Sequence, residues 1–128
     1  MKIIIYTVAF LGSIFTAPVL AHQMVTYQSV TCDKEMKNKD FKNQLEMIEE
    51  TQFSETKLQL CKGLIKNNCI SSKQLKQLLD VFSFEKHKTV IAKEAYKKVV
   101  DKENFYQVYS VFKQEINIQE IENYIQSK

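Results

Sequence analysis

The stretch that decides the fold is Phe53–Phe112, FSETKLQLCKGLIKNNCISSKQLKQLLDVFSFEKHKTVIAKEAYKKVVDKENFYQVYSVF. Its apolar positions nearly repeat at an offset of about 31 residues. A repeat of this length is typical of stacked helical hairpins, each too small to bury its own apolar face. The matched positions are Phe53 with Phe84, Leu60 with Ile91, Lys62 with Lys93, Ile65 with Tyr96, Leu75 with Tyr106, Leu78 with Tyr109 and Val81 with Phe112.

The spacing of apolar residues predicts six short helices, at about residues 39–50, 54–67, 71–82, 83–99, 101–112 and 117–125, with either Ser83 or Glu85 opening the fourth. Residues 22–128 contain one glycine, Gly63, and no proline, so polar side chains are expected to cap the helix ends. The expected caps are Ser54, Ser71 with Gln74, Asp101, and Asn117 with Glu120. The sequence therefore predicts an all-α fold of five or six short antiparallel helices in stacked helical hairpins.

Residues 1–21 have the three parts of a cleavable signal peptide. Lys2 gives a positive charge, residues 3–15 form an uncharged apolar run, and Val19-Leu20-Ala21 suits a cleavage site. Cleavage after Ala21 is preferred, because cleavage after Ala17 would leave Pro18 first. The apolar run is short for a membrane span, which disfavours an uncleaved anchor. We expect a secreted or periplasmic bacterial protein with no membrane span after cleavage.

The remaining chain suffices for one domain. Residues 22–38 are expected to form an extended or disordered arm, and residues 39–128 the helical domain. Without Lys2 the chain has 17 lysines against 15 acidic residues, and it has no arginine. Since arginine is the favoured residue for gripping phosphates and guanine edges, nucleic acid is not expected as a partner. The lysine-rich stretch 86–102 is interspersed with acids and is interpreted as a solvated helix face.

Three cysteines, Cys32, Cys61 and Cys69, allow one intramolecular disulfide in an oxidising compartment. Cys61 and Cys69 would lie ~12 Å apart along a helix axis, which is too far to bridge. Cys32 with Cys69 is the expected pair, with Cys32 and Cys61 left open as the alternative. Cys61 falls on an apolar stripe and is interpreted as a small buried hydrophobe rather than a nucleophile.

The sequence predicts no catalytic, cofactor-binding or metal-binding residue. It contains no phosphate-binding loop, nucleophile elbow or cluster of metal ligands. Cleavage after Ala21 would make His22 the first residue, and its amine and imidazole could chelate copper with His87 as a second ligand. Such sites are built on β-sandwiches, so any copper affinity is expected to be incidental. His87 is flanked by lysines and is expected to be exposed. A hydrolase or a copper enzyme is the least favoured interpretation.

The stretches FSETKLQLCK (53–62), ISSKQLKQLLDVFSFEKHKTVIAKEAYKKVVDKENFYQVYSVF (70–112) and EIENYI (120–125) together resemble family 4476 of the domains of unknown function. The resemblance extends from about Phe41 to Ile125. It implies a compact helical module of an exported bacterial protein. It assigns no catalytic or binding residue, because the family has no known activity to transfer.

The aromatic residues separate the function hypotheses. Most are expected to be core, but Tyr106 and Val111 lie off the main stripe and could form part of a peptide-binding surface. The leading hypothesis is a non-catalytic protein-interaction or structural module with an unknown protein partner. The alternative is a carrier of a small apolar ligand, with an aromatic cavity. The aromatic set is Phe82, Phe84, Tyr96, Phe105, Tyr106, Tyr109 and Phe112.

Overall fold

The computed structural model describes Gly12 and residues 32–128. The rest of the predicted signal peptide, the cleavage site after Ala21 and residues 22–31 of the arm lie outside the described residues. The all-α prediction is confirmed: the described chain is 73% helical and residues 32–128 contain no strand. The elements are α1 (Asn38–Glu50), α2 (Ser54–Asn67), α3 (Ser72–Asp80), α4 (Glu85–Ala95), the 3-10 helices η1 (Tyr96–Lys98) and η2 (Lys102–Val111), and α5 (Glu115–Gln126).

Helices α2, α4 and α5 lie side by side and run in the same direction. Between α2 and α4, Glu55 lies 3.4 Å from His87 and Lys62 lies 2.8 Å from Glu94, so the residue numbers rise together along both helices. Between α4 and α5, Asn117 donates to Glu85 at 3.1 Å and Lys93 pairs with Glu120 at 2.6 Å, so the residue numbers rise together here as well. In the chain, α3 follows α2 and η2 follows α4 and η1. Helices α3 and η2 run back towards the starts of α2 and α4 and pack against each other.

Similar contacts recur in the two hairpins, with donors 31 residues apart and acceptors 30 residues apart. Lys57 on α2 donates from its Nζ to the carbonyl of Val81, at the end of α3, at 3.4 Å. Lys88 on α4 donates in the same way to the carbonyl of Val111, at the end of η2, at 2.9 Å. Each lysine thus supplies a donor to the carbonyl end of the returning helix in its own hairpin, where intrahelical partners are missing.

The core is one continuous apolar cluster, to which α1, α2, α3, α4, η2 and α5 all contribute. The connections that follow α2 and η1 cross it, and their backbones pair: Ile70 N donates to Lys98 O at 2.9 Å and Val100 N donates to Ile70 O at 3.0 Å. This isolated parallel bridge satisfies polar groups that would otherwise be buried without partners. The largest fully buried side chains include Phe41, Ile48, Ile70, Leu75, Leu78, Leu79, Ile91 and Ile121.

The helix caps match the predictions in one case and differ in three. Ser71 and Gln74 form the predicted capping box, with Gln74 N donating to Ser71 Oγ at 3.3 Å and Ser71 N donating to Gln74 Oε1 at 3.2 Å. The prediction that Ser54 caps α2 is wrong. Phe53 occupies the N-cap position and makes no capping hydrogen bond, and Phe84 does the same for α4.

Asp101 occupies the N-cap position of η2, as predicted, but its side chain makes no capping hydrogen bond to the backbone of η2. Asp101 and Asn117 both form hydrogen bonds with other elements. The Asp101 carboxylate accepts from the backbone N–H of Ser72, the first residue of α3, at 2.7 Å. Helix α5 begins at Glu115, before Asn117, whose side-chain amide donates to the Glu85 carboxylate at 3.1 Å. The expected caps were chosen from local spacing, whereas these hydrogen-bond partners come from the preceding hairpin.

Cys32 and Cys69 are joined by a disulfide, with their Cα atoms 5.5 Å apart, and Cys61 is the free cysteine. The bridge holds the chain ahead of α1 against the connection between α2 and α3. Beside it, Met36 N donates to Cys69 O at 2.8 Å, and Met36 O accepts from the Gln74 side chain at 2.8 Å. The last residues of the predicted arm are therefore packed on the domain.

Loss of this disulfide should lower stability. The bridge closes a loop with a sequence separation of 37 residues, for which the chain-entropy model gives about 3–4 kcal/mol. We expect the Cys32→Ser/Cys69→Ser variant to lose that amount of unfolding free energy in urea titrations. Reduced wild-type protein should match the variant. An unchanged midpoint in both would contradict the prediction.

Glu85 connects the start of α4 to the turn before α5. Its carboxylate accepts from the backbone N–H groups of Lys113, at 3.2 Å, and Gln114, at 3.4 Å, as well as from Asn117. Its side chain is 18% exposed, so solvent replaces these bonds poorly. Glu85 thus supplies the N-terminal acceptor that α5 lacks in its own sequence.

Replacing Glu85 tests this connection. Glu85→Ala should lower the free energy of unfolding by about 1–2 kcal/mol, because the turn loses its acceptor. Glu103→Ala, at an exposed position of η2, is the matched control and should change stability by less than about 0.5 kcal/mol. Equal effects of the two variants in thermal or urea unfolding would count against the assigned role.

Candidate functional site

One end of the helix pair α2–α4 carries two exposed phenylalanines. Phe53 is 76% exposed and Phe84 is 61% exposed, and each precedes the first residue of its helix. The sequence placed both among the recurring positions that hold the fold together, and the structure corrects this: they are surface residues. We call this surface, defined by Phe53 and Phe84, the aromatic end.

His87 lies beneath the aromatic end. Its ring packs edge-on against Phe84, with centroids 5.7 Å apart, and against the buried Phe82, with centroids 5.8 Å apart. Its Nε2 is 3.4 Å from the Glu55 carboxylate, and within the described chain its buried Nδ1 has no hydrogen-bond partner. The expectation of an exposed His87 is wrong, since 15% of its side chain is accessible. His87 thus supports Phe84 from below.

A groove of about 490 Å³ follows the other half of the same helix pair. The ion pair of Lys62 with Glu94 lies within it, and it is flanked by Lys66 of α2 and by Lys97 and Lys98 of η1, which follows α4. We call it the lysine groove. Its lining residues are Gln59, Lys62, Gly63, Ile65, Lys66, Glu94, Lys97 and Lys98. The sequence pattern favours a solvated helix face for the stretch 86–102, which includes Lys97 and Lys98. Their convergence with Lys62 and Lys66 depends on the parallel packing of α2 and α4.

The remaining aromatic residues divide as the core interpretation expects, with one exception. Phe82, Phe105 and Phe112 are buried, and Tyr96 packs edge-on against Phe105 with centroids 5.1 Å apart. Val111 is also buried, so its expected place in an exposed groove is wrong. The pKa of Tyr109 is raised, mainly by burial and further by Glu122 and Tyr96. The exception is Tyr106, which is 65% exposed.

The groups considered for chemistry do not come together. Cys61 is fully buried in α2, and burial raises the pKa of its thiol from 9.0 to about 12 despite the opposing charge of Lys57. His87 faces Glu55, and His22 lies outside the described residues. Residues 32–128 contain no group of three or more histidine, cysteine or acidic side chains that could hold a metal ion.

The comparisons with known proteins identify the family. A family model described as "Domain of unknown function (DUF4476)" matches residues 35–125, which is more than half of the chain. The chain belongs to this family, as the sequence resemblance indicated. No curated protein and no solved structure matched the chain. Within the described residues, no helix has the length and apolar character needed to cross a membrane.

The Cys61 thiol should be inert in the native protein. With its pKa near 12, its thiolate fraction at pH 8 is about 1000-fold below that of an ordinary cysteine, and access is blocked as well. We expect slow labelling by iodoacetamide at pH 8 and rapid labelling once urea unfolds the chain. Fast stoichiometric labelling without unfolding would contradict this.

The same shift has a consequence for stability. The pKa is higher in the folded state than in the unfolded state, so the contribution of Cys61 is fully present below pH 9.0 and declines as the pH rises towards 12. The Cys61→Ala variant should lack this part of the alkaline decline when urea unfolding is measured at neutral and at alkaline pH.

Proposed function

We propose that this chain is an exported, non-catalytic protein-interaction module that works in the periplasm or outside the cell, built as a stack of repeated helical hairpins. The aromatic end is its partner-binding surface. Aromatic side chains are the anchors that protein interfaces use most, because they offer a large rigid area at low entropic cost. The observation that carries the proposal is the exposure of Phe53 and Phe84 at equivalent positions of two adjacent helices.

Helix capping gives no reason for phenylalanine at these two positions, and the one ring contact of Phe84 described above is with His87. An N-cap residue normally accepts a hydrogen bond from the first turn, and serine, threonine, aspartate or asparagine stabilises a helix by about 1 kcal/mol relative to an apolar residue. Phe53 and Phe84 accept no such bond and leave most of their rings in solvent. These two residues leave their helices without a side-chain cap and expose apolar surface to water. A contact with another molecule explains both features better than a role in the fold does.

Neighbouring residues extend this surface. Helix α5 starts at the same end as α2 and α4, and its second residue, Ile116, is 67% exposed. Asn117 next to it touches Glu85, which directly follows Phe84, so Ile116 lies close to the aromatic end. Three adjacent helix starts therefore contribute exposed apolar side chains, a pattern expected for a binding surface.

The carrier hypothesis receives less support. A carrier of apolar ligands requires a cavity that takes most of the ligand out of water. The lysine groove is open and rimmed by charged side chains, and the rings of Phe105 and Phe112 are packed into the core. Of the aromatic residues that could have lined a cavity, Phe82, Phe105 and Phe112 fill the interior, whereas Phe84 and Tyr106 are exposed.

Replacing both Phe53 and Phe84 by serine tests whether these rings serve binding or folding. We expect Phe53→Ser/Phe84→Ser to be as stable as the wild type or more stable by up to about 2 kcal/mol, because two helices gain caps. Tyr106→Ser, on the returning helix η2, is the control for loss of an exposed aromatic ring. Thermal unfolding of the three proteins measures the comparison. A large loss of stability in the double variant would show that the two rings serve the fold.

Site-specific photocrosslinking in cells measures the interaction itself. A benzophenone amino acid at position 84 should yield a discrete protein adduct, and the same group at position 106 should not. The adduct should disappear when Phe53 is replaced by serine in the same chain. Equal labelling from positions 84 and 106, or capture of lipids without protein, would overturn the proposed function.

A further inference from the structure

Gly63 is the feature of the lysine groove that the fold does not explain. It is the one glycine in residues 22–128, and it stands in the interior of α2, where glycine destabilises a helix relative to alanine. Its backbone does not have positive φ, so it is not needed for a turn. A Cβ atom added to it would meet no atom within 4 Å, so it is not needed for close packing within the chain either.

Glycine at this position leaves open space on the wall of the groove. With a side chain at residue 63, part of the space between Lys62 and Lys66 would be filled. No neighbouring atom of the described chain requires residue 63 to lack a side chain. Close approach of another molecule to the backbone of α2 would require it. Gly63 therefore points to a ligand that enters the groove and contacts the helix backbone.

The charge of the groove indicates the chemistry of that ligand. Four lysines, Lys62, Lys66, Lys97 and Lys98, line it with a single carboxylate, that of Glu94. Glu94 is paired with Lys62, and within residues 32–128 no salt bridge engages the other three lysines. Three such ammonium groups that converge on one groove favour an anionic ligand and steer it towards the site.

We propose that the lysine groove binds an acidic segment of a partner polypeptide, in which side-chain carboxylates reach Lys66, Lys97 and Lys98 while the segment's backbone passes over Gly63. The assignment of a polypeptide rests on the proposed function. The groove lies between two helices and runs ~10 Å along α2 from Gln59 to Lys66, which suits a short stretch of chain. Its apolar wall at Gly63 and Ile65 accepts the aliphatic parts of such a segment.

Purified protein comprising residues 22–128 tests the proposal with a defined probe. The probe is a fluorescein-labelled peptide of alternating glutamate and leucine, and the control peptide has glutamine for every glutamate. Fluorescence anisotropy should show binding of the glutamate peptide at least about tenfold tighter than that of the glutamine peptide, and weaker binding as NaCl is raised, because the charges are exposed. Equal binding of the two peptides would overturn the proposal.

Variants of the groove give the second arm. Lys97→Gln/Lys98→Gln should weaken binding of the glutamate peptide about tenfold, whereas Lys39→Gln/Lys42→Gln, at exposed positions of α1, should leave it unchanged. Gly63→Ala should raise the melting temperature by a few degrees, and Gly63→Leu should fill the wall and weaken the peptide about tenfold at unchanged melting temperature or above. Wild-type binding of the glutamate peptide by Lys97→Gln/Lys98→Gln or by Gly63→Leu would refute the site.

Two further arms identify the source of the negative charge. Inorganic phosphate at the concentration of the peptide should not displace it, and phosphatidylglycerol vesicles should bind the wild type and the Lys97→Gln/Lys98→Gln variant equally weakly. Vesicle binding that depends on these lysines and exceeds peptide binding would assign the groove to a membrane and overturn the proposal. Photocrosslinking from position 84 reports on the aromatic end separately, so failure of the groove and failure of the proposed function are distinguishable.

Discussion

None of the helices between residues 32 and 128 is long enough to persist alone in water, and this constraint governs the structure. The longest of them, α2, has 14 residues and α3 has nine, whereas isolated helices of fewer than about 12–15 residues are marginal. Their stability comes from packing against other helices. The polar contacts show the same dependence: Lys57 and Lys88 reach the carbonyl ends of other helices, and Asp101 and Glu85 supply acceptors to helix starts that are distant in sequence.

This dependence explains which parts of the fold the sequence predicts. Apolar spacing identifies buried positions such as Leu75 and Leu78, and the local pattern of Ser71 with Gln74 identifies a true capping box. The roles of Asp101 and Asn117 could not be predicted in the same way. Their partners lie in another hairpin, and the geometry that joins them exists only after packing. The change from α to 3-10 geometry in η2 is likewise absent from the apolar pattern.

The candidate surfaces were predicted less well than the fold. Repetition at a fixed offset draws attention to Phe53 and Phe84, but repetition alone does not distinguish a core position from a surface position that recurs with the repeat. The signal that distinguishes the two is the position relative to the helix start. Phe53 and Phe84 directly precede the first helical residue, a serine or a glutamate, and their rings are largely exposed there. For the lysine groove, the useful signal was Gly63, whose presence inside a predicted helix has no local explanation.

The disulfide has a mechanical consequence. It joins Cys32 to Cys69, and so it encloses α1 and α2 within a covalent loop. Tension applied to the chain ahead of Cys32 would pass through the sulfur bridge directly to the connection before α3. Helices α1 and α2 would carry none of that load, although α3 and the elements after it would. The wall of the groove that α2 provides is thereby shielded from a pull that enters at this side of the molecule.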